Sequence, residues 1–271
     1  MLAAQRREII LDLVRRTGAA RVSELTATLG VSDMTIRRDL EALAAEGLLE
    51  KVHGGATMPS STNEPGFEAK SLREKSEKLA IARRAAELVE EGCAVGLSAG
   101  TTTWTLAQEL RQIPRLTVVT NSMEVADVLH HGPRTDQTIV LTGGTRTLSG
   151  ALVGPVAVES LRSFNLDMVF MGVHGMDADA GFTTPNLQEA DTNRALARAA
   201  RRLVVVADST KWGVVGVSTF ARLHDADVLV TDPGLPVSGR DVLVERVGDL
   251  ILASPVSRTG EEGSALAGSV T

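Results

Sequence analysis

The chain has 271 residues, 43% hydrophobic and 23% charged, with a net charge of −6 and one cysteine, Cys93. That length holds one small and one larger domain. No apolar run approaches the ~20 residues of a membrane span and no apolar leader is evident, so the expectation is a cytoplasmic protein with no membrane partner. One cysteine excludes an intrachain disulfide, and histidines 53, 130, 131, 174 and 224 lack metal-ligand spacing, so neither metal nor cofactor is expected.

The first predicted helix covers residues 3 to 16, with Ile9, Ile10, Leu13 and Val14 at core spacing and Gly18 at its end. A second helix, about 23 to 29, opens on Ser23 as cap and stops at Gly30, a residue suited to a tight helix-helix turn. The third helix has Ser32 as cap and Asp33 in its first turn, where the helix dipole favours a carboxylate. Ile36, Leu40 and Leu43 fall at i, i+4 and i+7, one apolar stripe that must be buried. Met34, Arg37, Arg38 and Glu41 then point outward, with Thr35 and Ala42 on the flank. After Gly47, "LLEKVHGGATM" alternates around Gly54-Gly55 and predicts a wing with Lys51 and His53 near its tip.

This order is that of a winged helix-turn-helix over residues 1–58, and its third helix is sized for the DNA major groove. Ser32, Met34, Thr35, Arg37, Arg38, Lys51 and His53 are the candidate DNA contacts, the arginines supplying forks for guanine edges or phosphates. The alternative is a small helical domain whose arginines solvate its surface. Residues 1–58 carry eight Lys/Arg and eight Asp/Glu, so specificity must rest on a few placed groups, doubled in a homodimer or homotetramer. The rest of the chain holds 20 Lys/Arg against 26 Asp/Glu, an acidic balance that fits sensing or assembly.

Residues 59–71, opening on "PSSTNEPGF", read as a linker. A charged helix follows over about 72 to 91. Strand-length runs at 93–97, 116–120, 138–142, 167–172, 203–208 and 227–232 then alternate with helical segments at 102–111, 122–131, 154–163 and 187–201. Such β-branched runs without a polar face predict a mainly parallel sheet between helix layers over 72–253, with Cys93 in a buried strand and the His130-His131 pair closing a helix. Residues 254–271, rich in Gly, Ser and Ala, read as a disordered tail.

Ligands of open parallel sheets sit beyond the carboxyl ends of the strands. "SAGTTTWTLAQEL", from Ser98, puts Gly100 and Thr101 to Thr103 where a strand hands over to a helix, a phosphate cradle without a Walker lysine; the same pattern also serves as a plain helix cap. "TNS" with Asn121, "TGG" with Gly143 and Gly144, and "ADSTKWG" end further strands and can converge on one crevice. There Lys211, the only cation at these strand ends apart from Arg146, can neutralise a phosphate while Asp208 binds sugar hydroxyls; a surface Lys beside a capping Asp is the alternative. His174, in the long loop 172–183, is a candidate contact to a ligand hydroxyl or phosphate, or a loop histidine with a structural role. Glu189, which opens the helix after that loop, and Ser98 are further candidate effector contacts.

The blocks "TIRRDL", "HGGA", "GTTT", "TVVTNS", "LTGG" and "ADSTKWG", in this order over residues 5 to 253, resemble the DeoR family of bacterial transcriptional regulators. The resemblance implies a winged-helix domain joined to a sensor of the ribose-5-phosphate isomerase-like fold, repressing a sugar-catabolic operon until a phosphorylated sugar binds. It carries Thr35, Arg37 and Arg38 to DNA, and Gly100, Thr101, Thr102, Asn121, Gly143, Gly144, Asp208 and Lys211 to the effector. Two positions depart from the pattern. Ser98 stands where the family often has Asp, which would orient a sugar hydroxyl, and Asn193 followed by Arg194 stands where it often has Lys. The alternative to the regulator is a sugar-phosphate isomerase carrying a DNA-binding domain, with Glu189 or Asp177 as base.

Overall fold

A computed structural model describes residues 2–17, 19–45, 48–52, 54–57 and 67–254. The chain divides into two compact units, Met1–Glu64 and Pro65–Thr271. Residues 59–66 of the expected linker, and the tail from 255 on, lie outside the described residues.

The first unit contains α1 (Ala3–Thr17), β1 (Ala19–Arg21), α2 (Val22–Leu29), α3 (Asp33–Ala45), β2 (Glu50–Val52) and β3 (Gly55–Thr57). The three strands form an antiparallel sheet in the order β1-β3-β2. β1 has no counterpart in the sequence reading, because a three-residue strand carries too little pattern. Gly55 is what lets it pair: a Cβ there would lie 2.3 Å from the carbonyl oxygen of Ala20. The apolar stripe of α3 is buried as its spacing requires, Ile36, Leu40 and Leu43 being 3% exposed or less, and it packs on Ile10, Val14, Leu25, Leu49 and Ala56. Ile9, assigned to that core, is instead 43% exposed. Ile10 shares the inward face with Val14 one turn on, and Ile9 is turned about 100° away from it. Gly30 ends α2 in the left-handed conformation, φ 65°, its N–H donating to Thr26 O at 3.0 Å. The start of α2 differs from expectation: Arg21 is the cap residue, and its backbone N–H donates to Glu24 Oε2 at 3.1 Å, so Ser23 does not cap.

The second unit begins with α4 (Phe67–Ser71), inside the stretch read as linker, and α5 (Lys75–Ala86). Phe67 meets Trp104 edge to face, centroids 5.9 Å apart, which ties α4 into this unit. There follow β4 (Ala94–Leu97), α6 (Thr101–Leu110), β5 (Thr117–Thr120), α7 (Met123–His130), β6 (Thr138–Leu141), β7 (Thr145–Arg146), β8 (Leu152–Val153) and α8 (Pro155–Leu161). The chain continues through β9 (Met168–Met171), β10 (Gly175–Asp177), β11 (Gly181–Thr184), α9 (Leu187–Arg198), β12 (Leu203–Val206), β13 (Ser218–Ala221), β14 (Val228–Thr231), α10 (Val237–Arg246) and β15 (Asp249–Leu252).

Seven strands form one parallel sheet in the order β15-β14-β12-β9-β4-β5-β6. The side chains of β12 show why its run is uninterruptedly apolar. Val204 and Val206 join a core with Ile81 of α5, Leu106 of α6 and Leu129 of α7, while Val205 faces Leu161 of α8, Leu196 of α9 and Leu243 of α10. Both faces are covered, as expected of parallel sheets. The sequence reading gave six of the seven strands and missed α10 and β15. The loop after β9 is not a plain connector: β10 and β11 form a hairpin that β13 joins as a third antiparallel strand. Cys93 is half-buried and precedes β4 instead of lying in it.

From β4 the chain first builds outward through β5 and β6, then crosses back to β9 and continues the other way. The strand order therefore reverses between β4 and β9, and the carboxyl ends of those two strands flank the crevice where open α/β sheets bind ligands.

Candidate nucleic-acid interface and effector crevice

Helix α3 is capped as predicted. The amides of Thr35 and Ile36 donate to Ser32 O at 2.9 and 3.1 Å, and the Thr35 amide also to Ser32 Oγ at 3.3 Å. The Ser32 and Thr35 hydroxyls, both candidate DNA contacts, are 3.0 Å apart and satisfy each other. Met34 is 65% exposed, and Arg37 and Arg38 stand out with no hydrogen bond or ion pair among the described residues. Lys51, exposed on the wing, has its Nζ 2.8 Å from Glu41 Oε1, a contact that holds the Glu41 carboxyl below its ordinary range. His53 lies outside the described residues.

Sequence reading passed over Asp39, although it falls on the stripe of Ile36, Leu40 and Leu43. It is 2% exposed, with Arg6 Nε 2.5 Å from Oδ2 and Arg7 Nε 3.2 Å from Oδ1. A carboxylate inside an apolar stripe needs a buried partner, and that is the signal that could have found it.

In the second unit the polar strand ends gather at one end of the sheet. Gly100 caps α6 at φ 157°, ψ 161°, a conformation restricted to glycine. The hydroxyls of Thr101 and Thr102 have no partner among the described residues, and neither does Lys211 Nζ. Thr103 is engaged, its hydroxyl donating to Gly100 O at 3.0 Å. Unspent first-turn amides, two free hydroxyls and an ammonium are the groups an oxyanion takes up. Asp208, 1% exposed, caps the turn Ser209–Lys211: one oxygen accepts the Thr210 N–H at 3.2 Å and the Thr210 hydroxyl, and the other has no hydrogen bond among the described residues.

Lys78 of α5 belongs to this region and was missed. It lies on the helix face with Ile81, Ala82 and Ala85, is 5% exposed, and donates to the carbonyls of Lys70 and Arg73 at 2.8 and 2.7 Å. Burial pushes its ammonium down to about 8, with Lys211 adding to the effect and Asp208 opposing it. Burial also lowers His174 to about 4, helped by Lys211 and Lys70, so this imidazole is neutral at physiological pH and can meet a ligand only as a neutral donor or acceptor. Glu74, at φ 46°, has its carboxyl raised by burial and then by Asp208, Glu77 and Asp232.

Several expected effector contacts turn out to be holding the crevice together. Ser98 Oγ accepts the Gly172 N–H at 3.0 Å, stitching the end of β4 to that of β9. Asn121, 1% exposed, accepts the Ala99 N–H at 2.9 Å and donates to Leu152 O at 3.1 Å, so its amide shapes the loop before α6. Glu189 accepts from the hydroxyls of Thr147 (2.9 Å), Ser149 and Thr184 (3.1 Å) and clamps the β7–β8 hairpin to the end of β11. Asp177, the other carboxylate considered as a base, takes the amides of Asp179 and Ala180, both at 2.9 Å. Gly143 and Gly144 have positive φ, and a Cβ on Gly144 would lie 2.5 Å from Val153 O, so that glycine serves backbone packing. Arg146 pairs with Glu124 at 3.0 Å, and Arg194 is spent on Asp191 and Thr219 O.

Among the described residues no group of three or more His, Cys, Asp or Glu is placed to hold a metal, and no helix is long and apolar enough to cross a membrane. Family models match twice: a DeoR-like helix-turn-helix domain over residues 6–62 and a DeoR C-terminal sensor domain over 73–233. The uncharacterised HTH-type transcriptional regulator YgbI of Escherichia coli K12 is 37% identical, covering 93% of this chain and 99% of its own. The glycerol-3-phosphate regulon repressor of Escherichia coli K12 is 32% identical over 90% and 97%, and the putative aga operon transcriptional repressor of Escherichia coli O157:H7 34% over 92% and 93%. Ribose-5-phosphate isomerase A of Methanocaldococcus jannaschii, 18% identical, aligns over 50% of this chain and 53% of its own with a TM-score of 0.37.

Proposed function

The chain belongs to the DeoR family of transcriptional regulators, and from that premise we propose that it represses a sugar-catabolic operon and releases its operator when a phosphorylated sugar binds the strand-end crevice. The observation that carries the effector half is the set of donors at the carboxyl ends of β4 and β12 that have no partner among the described residues: the first-turn amides of α6, the Thr101 and Thr102 hydroxyls and Lys211 Nζ. An anionic phosphate supplies what those groups lack, and the open oxygen of Asp208 with neutral His174 suits the hydroxyls of a sugar. On the DNA side, the uncommitted guanidiniums of Arg37 and Arg38 read base edges or phosphates. One recognition helix covers too few base pairs for genomic specificity, so the working form is a homodimer or homotetramer on repeated half-sites.

The test is fluorescence anisotropy with labelled DNA flanking the chain's own coding region, with and without a panel of sugar phosphates. One member of the panel is expected to release the DNA. Lys211→Ala should bind DNA as the parent does and fail to release it. Unaltered release would remove Lys211 from the site.

A further inference from the structure

Helix α3 is held in two different ways. Ile36, Leu40 and Leu43 are buried in a shared apolar core, and apolar contact is non-directional: it decides which face points inward but tolerates small rotations. The contact of Asp39 is directional. Both its oxygens are used, Oδ2 by Arg6 Nε at 2.5 Å and Oδ1 by Arg7 Nε at 3.2 Å, and the two donors are consecutive residues of α1. Consecutive positions diverge by about 100° around a helix, so the two arginines clasp the carboxylate from different sides. Arg6 and Asp39 are nearly dry, with side chains 11% and 3% exposed, whereas Arg7 keeps 38%.

We propose that Asp39 is a positioning residue of the DNA interface: by engaging Arg6 and Arg7 it fixes the rotation of α3 about its own axis and so aims Arg37 and Arg38. Those two residues immediately precede Asp39 on the same helix. A 10° rotation carries a group ~6 Å from the helix axis through about 1 Å, and a bidentate base contact tolerates about half that. Weakened aim lowers the preference for the correct sequence more than the general attraction to phosphate, because base-edge contacts specify and phosphate contacts do not.

The proposal rests on the DNA-binding reading, and the experiment separates the two. DNA is selected by the parent chain from a random-sequence pool, and binding to selected and scrambled duplexes is measured together with thermal midpoints. Failure of the parent to select any sequence would sink the DNA reading itself. In full-length chain, the paired variant Arg6→Met with Asp39→Leu replaces the ion pair by apolar groups of similar size, a change that buried pairs tolerate in stability. It is expected to keep the parental midpoint while losing tenfold or more of the selected-over-scrambled preference. Asp39→Asn, read independently, is expected to lose preference in the same direction, and Asp39→Glu to recover part of it. An undiminished preference in either folded variant would overturn the proposal. Unfolding of both would overturn it too, making Asp39 a residue the fold needs instead of one that aims the helix.

Discussion

Raising the pH from 7 to 9 should weaken effector binding while the ligand-free protein becomes slightly more stable. Lys78, buried beside Asp208 and Lys211, titrates at about 8. Its charged fraction therefore falls from roughly nine tenths at pH 7 to one tenth at pH 9, and a phosphate that needs that charge loses about tenfold in affinity, ~1.4 kcal/mol. The ligand contributes nothing to the change, since a phosphate monoester with its second pKa near 6 is already dianionic. Stability moves the other way. The folded-state value lies below the unfolded 10.5, so between about 8 and 10.5 the unfolded chain binds more protons and the fold gains with rising pH, by about 1 kcal/mol at pH 9. Isothermal titration with the sugar phosphate that releases DNA, at pH 7, 8 and 9, reads the first effect; denaturant midpoints of the ligand-free protein read the second. An affinity that stays level across this range would show that the Lys78 charge is not part of the field the ligand meets.

Three further outcomes follow from named contacts. Arg38→Ala should cost about 1 to 3 kcal/mol on selected DNA if Arg38 pairs with a guanine, and equal losses on selected and scrambled duplexes would make it a phosphate contact. Gly144→Ala puts a methyl 2.5 Å from Val153 O at a φ of 119°, so the thermal midpoint should drop by the equivalent of about 1 to 3 kcal/mol, and an unchanged midpoint would mean the β7–β8 hairpin yields without cost. His174 is held at about 4, below its ordinary 6.5, so stability present above pH 6.5 is lost as the pH falls towards 4. His174→Gln should flatten that part of the stability profile, and an unchanged acid limb would assign the loss to other groups.

The elements legible in the sequence were those whose pattern is long or doubly constrained. The stripe Ile36, Leu40, Leu43 fixes α3, and runs such as "LVVVAD" fix parallel strands because both faces must be apolar. What escaped was short, or depended on distant residues. β1 is three residues long, and the contacts that make Gly55 necessary come from a strand more than thirty residues earlier in the chain. In the crevice, Gly100, Thr101, Thr102, Asp208 and Lys211 stand at strand ends where their blocks placed them. Asn121, Glu189 and Ser98 each also satisfy backbone or hydroxyl groups of a neighbouring loop. A polar residue near a ligand site and one that braces it look alike in sequence; only the partner distinguishes them. Lys78 and Asp39 were missed for one shared reason: each is a charge on an apolar helix face, and its partners lie on another segment.

Coupling of the two units of one chain through a small anion is read by the anisotropy of selected DNA bound to the full-length chain during titration with individual sugar phosphates. One of them is expected to weaken DNA binding by about 5- to 150-fold, a coupling of about 1 to 3 kcal/mol, and DNA is expected to weaken that ligand's binding by the same factor. DNA affinity unchanged by every sugar phosphate, including one shown to bind the protein, would contradict it.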